Sequence, residues 1–212
     1  MKAIIIGATG ATGKDLANNL VQDPAYTEIV LFVRRPGRSA HPKLVEILTD
    51  FDKLEEVAGS IQGDIWFSCL GTTLKAAGSK DKQRHIDYEI PLKFVEIAKR
   101  NGVPAGVLLS AYGASATSSM FYSKIKGELE EAIAKLSFSK LIIFKPGILI
   151  RKDSDRAGER IMIGLLKFLN SVGLIRKFRP LPTFTLAEKL AKAPKVLPDG
   201  MHVIALNDIF KF

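Results

Sequence analysis

Met1-Lys2-Ala3-Ile4-Ile5-Ile6-Gly7-Ala8-Thr9-Gly10-Ala11-Thr12-Gly13 opens the chain, and its reading decides the fold. A short apolar run meets three glycines, each three residues after the last. Leu16 and Leu20 then fall on one face of a helical pattern. The order is therefore strand, turn, helix. Glycine permits a tight turn and lets backbone approach an anion closely, and the first N–H groups of the helix add the positive end of its dipole. The spacing is G-x-x-G-x-x-G rather than G-x-G-x-x-G. A glycine triplet alone also suits an empty structural turn. The strand before it and the helix after it favour a cradle for the diphosphate of a dinucleotide. Gly7, Thr9, Gly10, Ala11, Thr12 and Gly13 are the candidate contacts.

The rest of the chain repeats this alternation. Apolar runs at 3–6, 29–33, 44–48, 65–67, 107–109 and 141–144 suit strands buried on both faces of a parallel sheet. Ile86, Ile90, Phe94 and Ile97 form one helical face, and Phe121, Ile125, Leu129 and Ile133 another. The pattern predicts an α/β fold: a Rossmann doubly wound parallel sheet flanked by helices. No break in composition marks a boundary, so residues 1–212 read as one domain. The pattern is less regular after Gly147, where 161–169 and 184–193 read as helices and 202–206 as a late strand. Elements covering the substrate are expected in this small C-terminal region, mainly within 147–212.

Strand ends then supply the candidate site. An NAD site places Asp or Glu after the second strand to bind ribose hydroxyls. This chain has Arg34 and Arg35 there, and guanidinium forks match a 2′-phosphate. NADP(H) is therefore expected over NAD(H). The alternative is a solvated basic loop continued by Arg38. After the third strand, Asp50 can accept from an adenine amino group and Phe51 can line its pocket, or Asp50 can cap a helix beginning near Asp52. Cys69, Leu70, Gly71 and Thr72 follow the fourth strand and face the same edge. Cys69 reads as a small packed side chain rather than a reactive thiol.

Ser110 ends the fifth strand, and Tyr122 and Lys126 lie four residues apart at the start of the next helix, on one face. A phenol titrates near pH 10, and a nearby ammonium favours the phenolate. Tyr122 can pass a proton to or from a carbonyl oxygen, Ser110 can hold that oxygen, and Lys126 can activate the phenol and bond the nicotinamide ribose. Tyr-x-x-x-Lys is common by chance. Its position after the fifth strand, twelve residues beyond the serine, is what singles it out.

Composition bounds the rest. With 47% hydrophobic and 25% charged residues, the 212-residue chain reads as globular. Its net charge of +9 favours anionic partners without choosing among them. One cysteine allows no intrachain disulfide and fits a reducing compartment. No secretory signal, membrane span, zinc pattern or nucleic-acid-binding signature is legible. No metal and no nucleic-acid partner are expected, and cytoplasmic residence is. Arg176, Lys177 and Arg179, and the pair Arg151-Lys152, read as surface charge or as contacts for an anionic partner.

At this point the chain resembles the short-chain dehydrogenase/reductase superfamily, and more narrowly its atypical members grouped with the Tat-interacting oxidoreductase-like proteins. The glycine turn, Ser110 and Tyr122-Ser123-Lys124-Ile125-Lys126 carry the match. Phe32-Val33-Arg34-Arg35, Cys69-Leu70-Gly71-Thr72-Thr73 and Leu108-Leu109-Ser110 add to it. Lys145-Pro146-Gly147-Ile148-Leu149 is similar to the family's turn after the sixth strand, which implies that Pro146 and Ile148 lie beside the nicotinamide. The resemblance implies a Rossmann fold, NADP(H) and reductase activity but no particular substrate; with the Tyr122 chemistry, the reading is an NADP(H)-dependent oxidoreductase acting on a carbonyl or quinone-like small molecule. The resemblance also admits a non-catalytic NADP(H)-binding regulatory protein that acts through a protein partner. Many superfamily members carry an asparagine on the fourth helix for proton relay. Between Lys80 and Arg100 this chain has His85 and Asp87 instead.

Overall fold

A computed structural model describes residues 1–37, 41–150 and 179–212. Its centre is a seven-stranded sheet in the order β3-β2-β1-β4-β5-β6-β9, with every pair parallel. The strands are β1 (Lys2–Ile6), β2 (Glu28–Val33), β3 (Leu44–Leu48), β4 (Ile65–Ser68), β5 (Ala105–Leu109), β6 (Lys140–Lys145) and β9 (Gly200–Ala205). A two-stranded pair, β7 (Leu149–Ile150) and β8 (Leu181–Pro182), lies apart from the sheet. Chain order reverses direction between β1 and β4. A doubly wound sheet opens its ligand crevice at such a switch point, beyond the carboxyl ends of the strands.

Alternation along each strand divides the core. Ala3 and Ile5 of β1 join one apolar cluster with Leu16 and Leu20 of α1 (Ala11–Gln22). The same cluster contains Leu186 and Leu190 of α6 (Thr183–Val196). Ile4 and Ile6 point the other way, toward Phe94 of α4 (Ile90–Arg100) and toward Leu129 and Ile133 of α5 (Phe121–Lys135). Each inner strand is thus covered on both faces, as its unbroken apolar run predicts. The edges differ. β3 carries Glu46 and leaves Leu48 64% exposed, and β9 exposes Met201 and Val203.

Among the described residues, the expected strands and helices are present within a few residues of their predicted bounds. The late helix runs Thr183–Val196 and the late strand Gly200–Ala205. These two pack against α1 and β6, so this part of the C-terminal region builds sheet and core. Among the described residues of 147–212, Leu149 and Thr183 line the cleft. The helix expected over 161–169, together with Arg38, Arg151, Lys152, Arg176 and Lys177, lies outside the described residues. Arg179 is described, and its guanidinium sits 4.7 Å from the centre of the Phe210 ring.

Two places depart from regular geometry. Phe51–Ser60 forms tight helical turns broken at Lys53, whose backbone is not helical. Residues His85–Glu89 form a wide, π-type turn between α3 (Lys80–Arg84) and α4. A wide turn carries an extra residue and re-phases the side chains. Asp87, inside this turn, has no solvent exposure.

Candidate active site

The first turn works by close approach. Gly7 has φ +77°, and a Cβ there would lie 2.5 Å from the Cys69 carbonyl carbon and the Leu70 nitrogen. At Gly13 a Cβ would lie 2.2 Å from the Gly7 oxygen. These two glycines let β1, α1 and the β4 loop pack backbone to backbone. Gly10 precedes α1 with no side-chain cap, and no acidic residue stands in the first helical turn. The open N–H groups of that turn and the positive dipole end fit an anion, and a dinucleotide diphosphate suits this donor set.

Two clefts meet over this turn. The larger, about 910 Å³, runs from Gly7, Thr9 and Gly10 past Arg34 to Asp50 and Phe51, and its other wall includes His85 and Ile86. The smaller, about 700 Å³, is lined by Ala11, Thr12, Ser110, Tyr122, Lys126 and Thr183, among others. Gly10, Cys69, Leu70, Gly71 and Thr72 border both. A continuous trough therefore leads from the end of β2 to the start of α5, with room for an extended ligand. Gly13, Arg35, Pro146 and Ile148 do not line either cleft. Gly13 is buried in packing, and Arg35 is exposed at the surface. The Pro146 carbonyl accepts from Tyr112 N–H at 2.9 Å, and the Ile148 carbonyl from Leu181 N–H at 2.9 Å. Leu149, rather than its neighbour Ile148, reaches the smaller cleft.

Several side chains already have protein partners. Asp50 accepts from Asp52 N–H at 3.1 Å and caps the following turns while still bordering the cleft. Thr73 caps the short helix Leu74–Ala77. Burial pushes the Cys69 thiol up to about 12, against the pull of Lys126, as expected of a packed side chain.

The α5 wall is built from opposed charges. Tyr122, Lys126 and Glu130 follow one another at four-residue intervals on one helical face. Lys126 is buried, 3.3 Å from Asp87 Oδ1, and donates to the Leu70 carbonyl at 3.3 Å. Asp87 also accepts from Thr72 N–H, at 3.2 and 3.3 Å to its two oxygens. Burial pushes the Asp87 carboxyl above its ordinary range, while Lys126, Thr72 N–H and Gln83 hold it back. Ser110 donates its hydroxyl hydrogen to Glu130. Glu130 in turn pairs with Lys145 at 2.8 Å, and Lys145 donates to the Ala114 carbonyl at 3.0 Å.

Two of the expected groups have partners of their own in this setting. Lys126 does not stand free to favour a phenolate, because its ammonium is paired with Asp87. Desolvation first, and then the Asp87 carboxylate, push the Tyr122 phenol above its ordinary value, while 40% of the residue stays open to solvent. The Ser110 hydroxyl hydrogen is engaged by Glu130. The lone pairs of that hydroxyl remain available as acceptors. Glu130 belongs to no motif singled out from the sequence, Lys145 entered only as the start of the turn after the sixth strand, and Asp87 was left without a role. For Glu130 the available signal was its place four residues beyond Lys126. For Asp87 none was available, since a π-type turn is invisible to a 3.6-residue period.

The fold and the trough define a nucleotide-binding α/β protein, and the chain belongs to the NAD(P)H-binding family, whose model matches residues 7–161. Protein HTATIP2 of Rattus norvegicus is 37% identical over 160 residues, covering 73% of this chain and 66% of that protein. The chain thus spans just under two thirds of that relative's length. The mitochondrial protein FMP52 of Candida albicans is 37% identical over 169 residues, covering 76% of this chain and 73% of its own. Among solved structures, MoeE5 in complex with UDP-glucuronic acid and NAD matches with a TM-score of 0.74 at 14% identity, over 97% of this chain and 76% of that one. A short-chain dehydrogenase/reductase superfamily protein from Agrobacterium tumefaciens with bound NAD gives 0.74 at 12% identity, over 97% and 77%. At such identities these structures speak for the fold alone. Together the relatives and the fold bear out the resemblance read from the glycine turn and the Tyr122–Lys126 pair. Among the described residues no helix is long and apolar enough to cross a membrane.

Proposed function

We propose that the protein is an NADP(H)-dependent oxidoreductase acting on a carbonyl or quinone-like small molecule, with Tyr122 as its acid–base residue. The observation that carries this reading is the continuity of the trough, which joins the uncapped start of α1 to a wall bearing Ser110, Tyr122 and Lys126. Arg34 borders the larger cleft where an adenosine ribose would lie, and no carboxylate stands at the end of β2 to bind a 2′-hydroxyl. That supports NADP(H), although the NAD-bound neighbours keep NAD(H) in the comparison.

A bound coenzyme would supply or accept the hydride. The chain's own residues would do the rest. The first turn of α1 neutralises a diphosphate, Arg34 pairs with a 2′-phosphate, and Lys126 lies within the cleft toward which a nicotinamide ribose would extend. Tyr122 donates its proton to the reacting oxygen. As that oxygen becomes a hydroxyl, Ser110 can accept its hydrogen bond, because its own hydrogen is held by Glu130.

A second reading is a non-catalytic NADP(H)-binding regulatory protein acting through a protein partner. It draws on the fact that Ser110 and Lys126 are satisfied by Glu130 and Asp87. NADPH consumption measured across a carbonyl and quinone panel separates the two, with Tyr122→Phe as control. Turnover lost in the variant supports the enzyme. Tight NADPH binding with no consumption on any compound supports the regulator.

A further inference from the structure

We propose that Glu130 decides which redox form the smaller cleft prefers: it holds the Ser110 hydrogen, so Ser110 meets the cleft as an acceptor, and the cleft selects compounds that bring an O–H group to it, an alcohol or a hydroquinone. The inference rests on the reading of the smaller cleft as the substrate site, and it narrows the class of compound bound there.

The geometry sets three side chains in a row behind the cleft. Ser110 is 5% exposed and lines the cleft wall. Its backbone N–H donates to the Phe144 carbonyl at 2.8 Å, which fixes the residue against β6. Its hydroxyl donates to Glu130 Oε1. The other carboxylate oxygen, Oε2, lies 2.8 Å from Lys145 Nζ, and Lys145 also donates to the Ala114 carbonyl at 3.0 Å. Glu130 is not among the residues lining the cleft, so it acts through Ser110 as a positioning residue.

The polarity follows from what each group can donate. An ammonium only donates, and a carboxylate only accepts. Glu130, paired with Lys145, therefore takes the one hydrogen that the Ser110 hydroxyl has. Ser110 is left with lone pairs to offer a ligand. Leu109, Phe121 and Leu149 line the same cleft, and in such surroundings a mismatched polar contact is costly. A ketone oxygen placed against Ser110 sets lone pairs against lone pairs. A hydroxyl on the same carbon frame completes a hydrogen bond. A polar group committed in this way separates the two ligands.

Glu130→Gln reverses the polarity at nearly constant shape. Lys145 can still only donate, so it keeps the amide oxygen, and the amide N–H groups turn toward Ser110. Ser110 then accepts from the amide, and its own hydrogen is freed for the cleft. The variant should come to favour the ketone.

The test is an NMR titration of the coenzyme-free full chain with matched pairs: cyclohexanol against cyclohexanone, and acetophenone against its alcohol. Shifts at Ser110 and its cleft neighbours give each affinity. In the wild type the alcohol should bind about three- to tenfold tighter than the ketone. Glu130→Gln should reverse that order, and Ser110→Ala should bring the two affinities together. Adding Glu130→Gln to Ser110→Ala should leave the ratio where Ser110→Ala put it, the mark of action through Ser110. A general loss of stability weakens both ligands and does not reverse their order. A wild type that binds neither member of either pair, or binds the ketone as well as the alcohol, overturns the proposal. So does an unchanged ratio in Glu130→Gln. Should that variant fail to fold by circular dichroism, the wild type and Ser110→Ala decide between them. The titration needs no coenzyme, so a failure to bind or consume NADPH defeats the functional reading separately.

Discussion

Around the glycine turn the molecule presents backbone. Gly7 and Gly13 have no space for a Cβ, and the start of α1 carries neither a cap nor an acid. Around α5 it uses paired side chains: Lys126 with Asp87, and Glu130 with both Ser110 and Lys145. The first region draws on residues adjacent in sequence. The second joins Ser110, just after β5, with residues of α5, β6 and the turn before α4. The difference teaches that a backbone site fails all at once when its shape is altered, whereas a charge-paired site can be retuned one partner at a time.

Gly7→Ala should break this comparison most severely. Its φ of +77° and a Cβ 2.5 Å from backbone leave no relaxed conformation. A loss of more than about 3 kcal/mol is expected, seen as a large fall in Tm and loss of NADPH binding. Gly10→Ala is the contrast, since its Cβ meets only the Gly7 oxygen at 3.3 Å. That variant should stay within about 1 kcal/mol of wild type in chemical denaturation. If the two variants behave alike, close approach is not what Gly7 provides.

Tyr122→Phe should next lower kcat for carbonyl reduction by about 10²- to 10⁴-fold. NADPH affinity by calorimetry should be unchanged, because the backbone half is untouched. An equal loss of binding would merge the two regions into one.

Glu130→Gln sharpens the charge-paired side. Its carboxylate and the Lys145 ammonium are mostly buried, with side chains 14% and 17% exposed. Removing one charge should cost about 1–3 kcal/mol in urea unfolding while NADPH still binds. No change in stability would show the pair to be incidental.

The smallest effect belongs to His85, which lies 2.6 Å from Asp52 and 2.8 Å from Glu89 at the rim of the larger cleft. Glu89 first, and then Asp52, raise its pKa in the folded protein, against some desolvation. Its contribution is therefore full below the unfolded value of about 6.5 and fades as pH rises through the raised folded value. For so exposed a cluster the difference should stay under about 1 kcal/mol. Thermal melts of wild type and His85→Gln should differ more at pH 6 than at pH 8. A gap that widens toward pH 8 would reverse the sign assigned here.

The same contrast explains what could be read in advance. Ile4, Ile5 and Ile6 are buried because period and composition mark a central strand, and Gly7–Gly13 declares its turn within seven residues. Tyr122 and Lys126 were legible as a pair because helical spacing is local. Their partners were not. Asp87 lies buried within the wide turn at 85–89, and Lys145 of β6 meets Glu130 of α5 across tertiary packing, and neither placement shows in a local spacing. The roles of Pro146 and Ile148 came from resemblance, and both carbonyls are bonded within the protein. The edge strand β3 was grouped with the buried strands despite Glu46 at its centre, yet Leu48 is largely exposed, because strand order is a property of the whole chain.

Calorimetric titration of the wild-type protein with NADPH and with NADH tests the trough as a coenzyme site most directly. The account predicts one saturable site, NADPH tighter than NADH by about tenfold or more, and that margin erased in Arg34→Ala. The absence of a complex with either reduced coenzyme would contradict it.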